Sequence, residues 1–300
     1  MSHSIKHNHN SNALNFNKSF LIGIVLNVVY IVVEVVYGLL GNSMALLADA
    51  GHNFSDVLGL VLAWGATYLA KTATTERRTY GLRKSTILAA LFNSILLMIA
   101  VGAITIEAIR KLILPEHVHG KTIIIVAGIG FFINAITALL FMKGREKDLN
   151  IKGAFLHMAA DAGVSLGVVF AGFMIVSTGW LWVDPTISLV IVLVITIGTW
   201  GLLKDSFQLS MDAVPKGIDL KEVGYYLKKI EGVIDVHDLH IWAMSTTETA
   251  LTAHLVVENF PPANQFVETI SAKLRDDFGI EHPTIQFELS SQTNNCGNCS

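Results

Sequence analysis

The stretch "ADAGHNFSDVLGLVLAWGA", residues 48–66, is apolar enough to lie in a membrane, yet it contains Asp49, His52 and Asp56. A second apolar stretch at 155–173, "FLHMAADAGVSLGVVFAGF", repeats this combination of an imidazole and a carboxylate. Ionisable side chains are costly inside a bilayer and are functional candidates wherever they occur there. The two stretches therefore predict membrane helices that share a polar site.

The composition supports a membrane protein. Of the 300 residues, 52% are hydrophobic and 15% are charged, with a mean hydropathy of +0.54, whereas soluble domains are about 25% charged. Apolar runs of about 20 residues are long enough to cross the hydrocarbon core. The net charge of −3 is too small to indicate a nucleic-acid partner. Six transmembrane helices are predicted, at 19–40, 44–70, 86–109, 121–142, 153–176 and 183–203.

The chain is predicted to divide into a polar N-terminal tail at 1–17, a membrane domain at 18–204, a soluble domain at 205–290 and a C-terminal tail at 291–300. The loops "KTATTERRTYGLRK" and "KGREKDLNIK", after the second and fourth helices, are rich in Lys and Arg. Because basic loops stay on the cytoplasmic side, both termini and the soluble domain are expected in the cytosol. We expect the chain to lie in the inner cell membrane, surrounded by lipid.

The soluble domain reads as helix, strand, strand, helix and strand. Residues 219–231 have helical spacing, 233–244 and 250–258 are β-branched runs, a second helix ends near Gly279, and "PTIQFEL" is a last strand. This order predicts a small α+β unit of the ferredoxin-like type. A domain of about 85 residues buries only a modest core, so association with a second copy of the chain is expected to stabilise it.

The two membrane stretches each place a histidine four residues before an aspartate. His52 and Asp56 on one helix, and His157 and Asp161 on another, each lie on a single helical face. Two nitrogen and two oxygen ligands suit tetrahedral Zn²⁺, and Co²⁺ or Cd²⁺ suits similar geometry. Two carboxylates also cancel the charge of a divalent ion. The competing interpretation is that these residues cap, kink or cross-link the helices, but the repeated spacing favours a metal site.

The same groups also bind protons, so metal and protons can displace each other. A site that opens to one side at a time would convert a proton gradient into metal export. Two other functions compete with this one. A membrane zinc hydrolase needs an open coordination position and a general base, but the chain has no HExxH motif and a four-ligand shell is closed. A metal-sensing receptor needs no ligands inside its membrane helices. We therefore expect a transporter and no enzyme.

Three segments resemble the cation diffusion facilitator family: "LNVVYIVVEVVYGLLGNSMALLADAGHNFSD", the second "HMAAD", and "VIDVHDLHIWAM" with "LTAHLVVE" in the soluble tail. The resemblance implies a homodimeric Zn²⁺/H⁺ exchanger of the bacterial zinc-exporting type, with six membrane helices and a metallochaperone-like cytosolic domain. It implies a transport site at the two membrane His–Asp pairs. In the cytosolic domain, it implies metal ligands at His237, His254 and Glu288.

Further candidates lie outside these motifs. Cys296 and Cys299 form "CGNC", the spacing of a zinc or redox dithiol, and in a reducing cytosol a structural disulfide is disfavoured. Three interpretations of the two cysteines are open. They would complete the metal site of the cytosolic domain, bind metal loosely as a capture arm, or lie in a tail that has no function. His240 and His282 are weaker cytosolic candidates, and the N-terminal histidines form a small tract. Asp49 is interpreted either as a cation-gathering acid or as a helix cap, and Glu34 as a buried structural acid or a proton-transfer aid.

Overall fold

The protein is described from a computed structural model that covers residues 12–142, 149–259 and 263–289. Six long helices come first, and each follows an apolar run of the sequence. The turn after the first helix uses Asn42 at a φ of 55°, and the turn after the fifth uses Gly179 at a φ of 73°. Their bounds are α1 Asn12–Leu40, α2 Met44–Ala70, α3 Ser85–Ile113, α4 Gly120–Met142, α5 Leu149–Thr178 and α6 Val183–Ser210.

Four of these helices are long and apolar enough to cross a membrane over the part of the chain that the structure describes. They are Ser85–Ile113, Gly120–Leu139, Phe155–Thr178 and Val183–Ser210. In α1 the described apolar run is the shorter Asn27–Leu40, and α2 is not among the four. The prediction of six membrane-crossing helices is therefore confirmed for four, and the chain is a multi-pass membrane protein.

The described residues form two compact units. One comprises the residues up to Val61 together with Asn93–Trp200, and the other comprises Leu62–Phe92 with the residues from Gly201 onward. The first has an apolar core that includes Leu46, Ile123 and Val168, all fully buried. Within it, α4 and α5 pack closely because glycines face each other; a Cβ on Gly120 would lie 3.0 Å from the Gly172 carbonyl oxygen. Small residues permit this approach where lipid supplies no hydrophobic driving force.

The second unit contains a small α+β domain in the predicted order. Two helices, α7 Leu220–Lys228 and α8 Ala263–Phe278, accompany three strands, β1 Val233–Ala243, β2 Thr249–Val257 and β3 His282–Leu289. The strand order is β1-β2-β3, with β1 antiparallel and β3 parallel to β2. A ferredoxin-like fold has four strands. The described chain shows three, so the α+β class is confirmed and the ferredoxin-like assignment is not.

Local signals explain the helix ends of this domain. The Asp219 carboxylate accepts a hydrogen bond from the Lys221 backbone N–H and caps α7. Gly279 follows α8 at a φ of 66°, a conformation that favours glycine. Leu227, Leu255 and Leu274 are fully buried between the helices and the sheet. This small core holds the strands in the register that positions the cytosolic histidines.

Candidate metal centres

The structure brings the two membrane His–Asp pairs together. His52 and Asp56 come from α2, and His157 and Asp161 come from α5. His52 Nε2 lies 3.3 Å from Asp161 Oδ1, and His157 Nε2 lies 3.2 Å from Asp56 Oδ2. Within each helix, the histidine and aspartate are 3.7 Å apart. Each imidazole therefore faces both carboxylates.

These four His–Asp distances are close to the separation expected between two ligands of one zinc ion. Ligand atoms at about 2.0–2.1 Å from a tetrahedral zinc are separated by about 3.3–3.5 Å. The His–Asp separations of 3.2–3.7 Å bracket this value. The two imidazole rings are 6.1 Å apart and nearly perpendicular, so they approach from different directions. His52, Asp56 and Asp161 offer ligand atoms that all lie within 4.8 Å of one another, whereas His157 lies outside that group and would have to move closer to share the ion.

The environment of the membrane site is uneven. Asp161 has 3% of its side chain exposed, whereas His157 has 43%. Asp56 Oδ2, Asp161 Oδ2 and His52 Nδ1 are buried and have no hydrogen-bond partner. Buried polar atoms are normally satisfied, so these open atoms indicate a ligand or proton that the arrangement is built to hold.

Asp49 does not cap α2. The helix begins at Met44, and there the Asp184 carboxylate of α6 accepts hydrogen bonds from the backbone N–H of Met44 at 2.7 Å and of Ala45 at 3.3 Å. Ser43 also donates its hydroxyl to Asp184. Asp49 lies further along the helix and is fully buried. The capping interpretation of Asp49 is therefore wrong, because Ser43, whose Oγ accepts a hydrogen bond from the Leu46 backbone N–H at 3.2 Å, and Asp184 of α6 share that role.

The cytosolic candidates His237, His254 and Glu288 also form a cluster. His237 and His254 are opposite each other on β1 and β2, and their rings are 5.1 Å apart. Glu288 on β3 reaches both, with 3.1 Å to His237 Nε2 and 2.8 Å to His254 Nδ1. Their ligand atoms lie within 4.8 Å of one another. Two imidazoles and a carboxylate are a donor set that Zn²⁺ accepts.

The charge environment of this cluster suits a cation. Partial desolvation raises the pKa of Glu288, but the hydrogen bond from His237 and the charges of His237 and His254 lower it by more, so the pKa lies below its usual value. Asp238 Oδ2 is 3.6 Å from His254 Nε2 and adds a further acid at the edge. Asp238 was not predicted as part of this site. Its φ of 51° marks an irregularity of β1 that directs it there.

The weaker cytosolic candidates lie apart from this cluster. His240 pairs with Asp238 at 2.8 Å and is exposed. His282 falls in a separate group with Glu248 and Glu281, which the sequence did not indicate. The Arg83 guanidinium lies 3.0 Å from both Glu248 and His282 and already supplies a positive charge there. Cys296 and Cys299 lie outside the described residues.

Two family profiles match the chain, one over its membrane helices and one over its α+β domain. The family profile described as the cation efflux transmembrane domain matches residues 20–209, and the profile described as the cation efflux protein cytoplasmic domain matches residues 215–290. The chain belongs to the cation efflux family. Both candidate metal centres lie within the matched segments of this family, one in each domain.

Relatives in the cation efflux family match over most of their length. The cation efflux system protein CzcD of Alcaligenes sp. (strain CT14) is 36% identical, over 91% of this chain and 87% of the relative. The zinc transporter ZitB of Escherichia coli (strain K12) is 34% identical, over 96% and 93%. The cadmium, cobalt and zinc/H(+)-K(+) antiporter of Bacillus subtilis (strain 168) is 33% identical, over 95% and 92%.

A solved structure is also similar in sequence. The metal-bound C-terminal domain of the CzcD transporter is 40% identical to this chain, covering 24% of this chain and 100% of that domain, with a TM-score of 0.23.

Proposed function

We propose that the protein is a secondary transporter that exports Zn²⁺ from the cytosol in exchange for protons by alternating access. The observation that carries this proposal is the four-ligand shell of His52, Asp56, His157 and Asp161, with His–Asp separations of 3.2–3.7 Å. Relatives whose names describe zinc transport and zinc/H(+)-K(+) antiport support the same cargo. Cd²⁺ and Co²⁺ are competing cargoes for the same ligand set.

The chemistry of the shell supports exchange. With a divalent ion bound, two carboxylates and two neutral imidazoles form an assembly with no net charge. With the ion gone, the nearest neighbour of each histidine is the aspartate of the other helix, at 3.2–3.3 Å. A proton on either histidine is therefore stabilised by a carboxylate on the opposite helix. Metal and protons compete for the same atoms, which is the requirement for coupled exchange.

The shell also supports a transporter over a hydrolase. Catalytic zinc sites keep an open coordination position for water, whereas two histidines and two aspartates face one another here at His–Asp separations of 3.2–3.7 Å, enough donors to close a four-ligand shell. Because all four come from α2 and α5, a change in how these helices pack can open the site or release its contents. We infer that the protein has no enzymatic activity.

We further propose that all six helices α1–α6 cross the inner cell membrane, with both termini in the cytosol. The basic loops after α2 and α4 support this orientation. Trp180 and Trp182, in the turn between α5 and α6, stack at 5.5 Å and are about half exposed. Tryptophans are enriched where a helix meets the membrane–water interface, and this pair supports an outer interfacial position for the turn.

The cytosolic domain is proposed to be a ferredoxin-like, metal-sensing unit of a homodimer. His237, His254 and Glu288 would hold Zn²⁺ there, since two imidazoles and a carboxylate leave one position for a fourth ligand. Asp238, a group from the tail such as Cys296 or Cys299, or a residue of the second copy would fill it. Calorimetry of Zn²⁺ binding to the full chain, together with cross-linking of the dimer, tests this role independently of transport.

The deciding experiment measures Zn²⁺ flux into proteoliposomes under an imposed pH gradient. Asp161→Asn keeps the side-chain shape but removes one ligand charge, and we expect flux to fall more than about 100-fold, because even changes behind the ligands cost 10- to 100-fold in metal affinity. The matched control is Asp205→Asn, an acid of α6 that pairs with Lys216 at 2.7 Å.

We expect the control to transport like the unmodified chain. Equal flux by Asp161→Asn and the unmodified chain would reject the transport site. Flux of the unmodified chain that does not respond to the pH gradient would reject proton exchange. Parallel runs with Cd²⁺ and Co²⁺ rank the cargoes.

A further inference from the structure

The turn between α1 and α2 is held by side chains from two other helices. It comprises residues 41–43, and Asn42 at its centre has a φ of 55°. Lys111, in the last turn of α3, donates from Nζ to the backbone carbonyl oxygen of Asn42 at 2.9 Å and also to its side-chain oxygen. Asp184, in the first turn of α6, accepts hydrogen bonds from the Ser43 hydroxyl and from the first two backbone N–H groups of α2. We refer to Asn42, Ser43, Lys111 and Asp184 together as the turn clamp.

The turn clamp is buried although it contains two charged side chains. Lys111 is 5% exposed, and Ser43 and Asp184 are both 0% exposed. Burying a charge is costly unless the charge is hydrogen-bonded, and hydrogen bonds that involve an ionised group are roughly twice as strong as neutral ones. Lys111 and Asp184 supply opposite charges and bind adjacent residues of one short turn. The clamp is therefore a firm attachment for the start of α2.

Asn42 connects α3 to the turn through both its backbone and its side chain. Its Oδ1 accepts the second hydrogen bond from Lys111, and its Nδ2 donates at 2.7 Å to Oε2 of Glu116, which is exposed. Asparagine also tolerates a positive φ better than most residues do. The residue that lets the chain reverse is thus also the residue that Lys111 holds, and substitution can separate these two roles.

The start of α2 determines where the ligands of this helix lie. The helix is continuous from Met44 to Ala70, and His52 lies about two turns beyond its start. The residues between them are packed, with Leu46 and Ala48 both 0% exposed. A tilt of about 5° at the first turn would move His52, about 12 Å along the helix, by roughly 1 Å. A close-packed interior transmits such a displacement because it has few voids that could absorb it.

The membrane site is sensitive to a displacement of that size. Its two shortest His–Asp distances, 3.2 and 3.3 Å, each join a side chain of α2 to a side chain of α5. Functional groups need to lie within about 0.5 Å of their productive geometry. Residues that orient metal ligands from behind are worth about 10- to 100-fold in metal affinity. Because both ligands of α2 belong to one helix, an error at its start displaces them together.

We propose that Lys111 and Asp184 are positioning residues of the transport site, which act by fixing the start of α2. Through the turn clamp they hold His52 and Asp56 in line with the ligands of α5, and so set the affinity and the metal preference of the site. Neither Lys111 nor Asp184 belongs to the four-ligand shell. This inference rests on the proposed transport function and assigns residues outside the shell on which the selectivity of transport depends.

The test separates the clamp from the backbone turn by two substitutions of Asn42, with Zn²⁺ flux of the full chain measured in proteoliposomes. Asn42→Gly permits the positive φ but removes both side-chain hydrogen bonds. Asn42→Asp keeps an oxygen for Lys111, and the exposed Glu116 is free to turn away. We expect Asn42→Gly to raise the half-saturating Zn²⁺ concentration about tenfold. Asn42→Asp should remain close to the unmodified chain.

Lys111→Met removes the charge but keeps most of the apolar stem, and we expect it to raise the half-saturating Zn²⁺ concentration at least as much as Asn42→Gly does. Both variants should also raise the ratio of Cd²⁺ flux to Zn²⁺ flux, because geometry selects among similar divalent ions. The matched control is Arg110→Met, the neighbouring basic residue of α3, which is exposed and pairs with Glu107 at 3.4 Å. It should change neither quantity.

A clamp that only stabilises the fold would change the number of active molecules. Maximal flux would then fall in Lys111→Met and Asn42→Gly, while the half-saturating Zn²⁺ concentration and the flux ratio stayed at their unmodified values. That result overturns the inference, and so does an equal shift in Arg110→Met. If Lys111→Met is not recovered folded, Asn42→Gly decides alone, because it keeps the bond from Lys111 to the backbone. Failure of the proposed function looks different: Asp161→Asn would then transport Zn²⁺ as well as the unmodified chain.

Discussion

The membrane site and the cytosolic site use the same ligand types but are assembled differently. In the membrane, His52 and Asp56 lie one turn apart on a single helix, so half of the shell exists as soon as α2 forms. In the cytosolic domain, His237, His254 and Glu288 come from three strands and meet only through strand register. Helical spacing makes a site readable from sequence, whereas a sheet site depends on pairing between distant segments.

The two sites also differ in solvation. The membrane shell includes Asp161, which is nearly fully buried, and several of its polar atoms have no partner. The cytosolic cluster satisfies much of its own charge through His–Glu pairs at 2.8 and 3.1 Å. Among the described residues, the membrane cluster leaves more buried polar atoms without a hydrogen-bond partner than the cytosolic cluster, where His254 Nδ1 is such an atom despite its 2.8 Å distance to Glu288.

The largest predicted effect comes from changing the ligand type of the membrane site. His52→Asp replaces an imidazole with a carboxylate, giving three acids and one histidine. We expect Zn²⁺ flux in proteoliposomes to fall more than about 100-fold. Mn²⁺ flux should rise above its unmodified level, because oxygen ligands suit harder ions. Unchanged Zn²⁺ flux would mean that His52 is not a ligand.

The same kind of change in the cytosolic site should have a smaller effect. His254→Ala removes one of three ligands and the partner of Glu288, and we expect the affinity of that site for Zn²⁺ to fall about 10- to 100-fold. Maximal flux should stay close to that of the unmodified chain, with more Zn²⁺ needed for half-maximal flux. Calorimetry and flux titration measure the two quantities separately. Loss of maximal flux would show that the sites are not functionally distinct.

The tail cysteines sharpen the comparison further. If they supply a fourth cytosolic ligand, Cys296→Ser combined with Cys299→Ser should shift the zinc sensitivity of transport by a few-fold at most, and leave maximal flux largely intact. A ligand tethered to the same chain adds affinity through its local concentration. Flux titration against free Zn²⁺ is the measurement, with His254→Ala as reference. If the double variant abolished Zn²⁺ flux, the assignment of the two cysteines to zinc sensing would be rejected.

The smallest effect concerns an exposed charge pair of the cytosolic domain. Lys228 Nζ lies 2.8 Å from Asp235 Oδ1, and this hydrogen bond lowers the pKa of Asp235. A lowered folded-state pKa stabilises the fold above the ordinary pKa of aspartate, about 4, and this stabilisation is lost as the pH falls through the folded value. Lys228→Met should remove well under about 1 kcal/mol, because both side chains are more than half exposed.

Hydrogen exchange of the α7 and β1 peptides in the full chain, measured at neutral and acidic pH, checks this prediction. The unmodified chain should exchange more slowly than Lys228→Met at neutral pH, and the difference should disappear in acid. A difference that persists in acid would assign the effect to packing instead of charge.

Much of the membrane domain could be predicted from sequence. The expected helix 44–70 coincides with α2, and the i,i+4 spacing placed His52 beside Asp56 and His157 beside Asp161. Four predicted membrane helices are confirmed by length and composition. In the soluble domain, the order of two helices and three strands was also correct, because β-branched runs and the stop at Gly279 are local signals.

Other features could not be predicted because they depend on contacts between distant segments. Part of the cap of α2 comes from Asp184, 140 residues away from Met44, which no local pattern indicates; the other part is Ser43, directly before the helix. The environment of Glu34 depends on α2, where the Asn53 side-chain amide donates a hydrogen bond to it at 3.1 Å. Asp238 reaches the cytosolic cluster because the register of β1 shifts between His237 and His240, and no residue pattern in the sequence predicts this shift.

The sequence by itself determined the membrane class, the helix order and the His–Asp pairs, because hydrophobicity and the 3.6-residue helical period act locally. Only the tertiary structure decided that the two His–Asp pairs face each other, how far apart their ligand atoms lie, and which contacts the other buried acids of the membrane helices make. Those outcomes follow from packing between α1, α2, α5 and α6 and from pairing among three strands. Such contacts join segments far apart along the chain, and no local pattern encodes their distances.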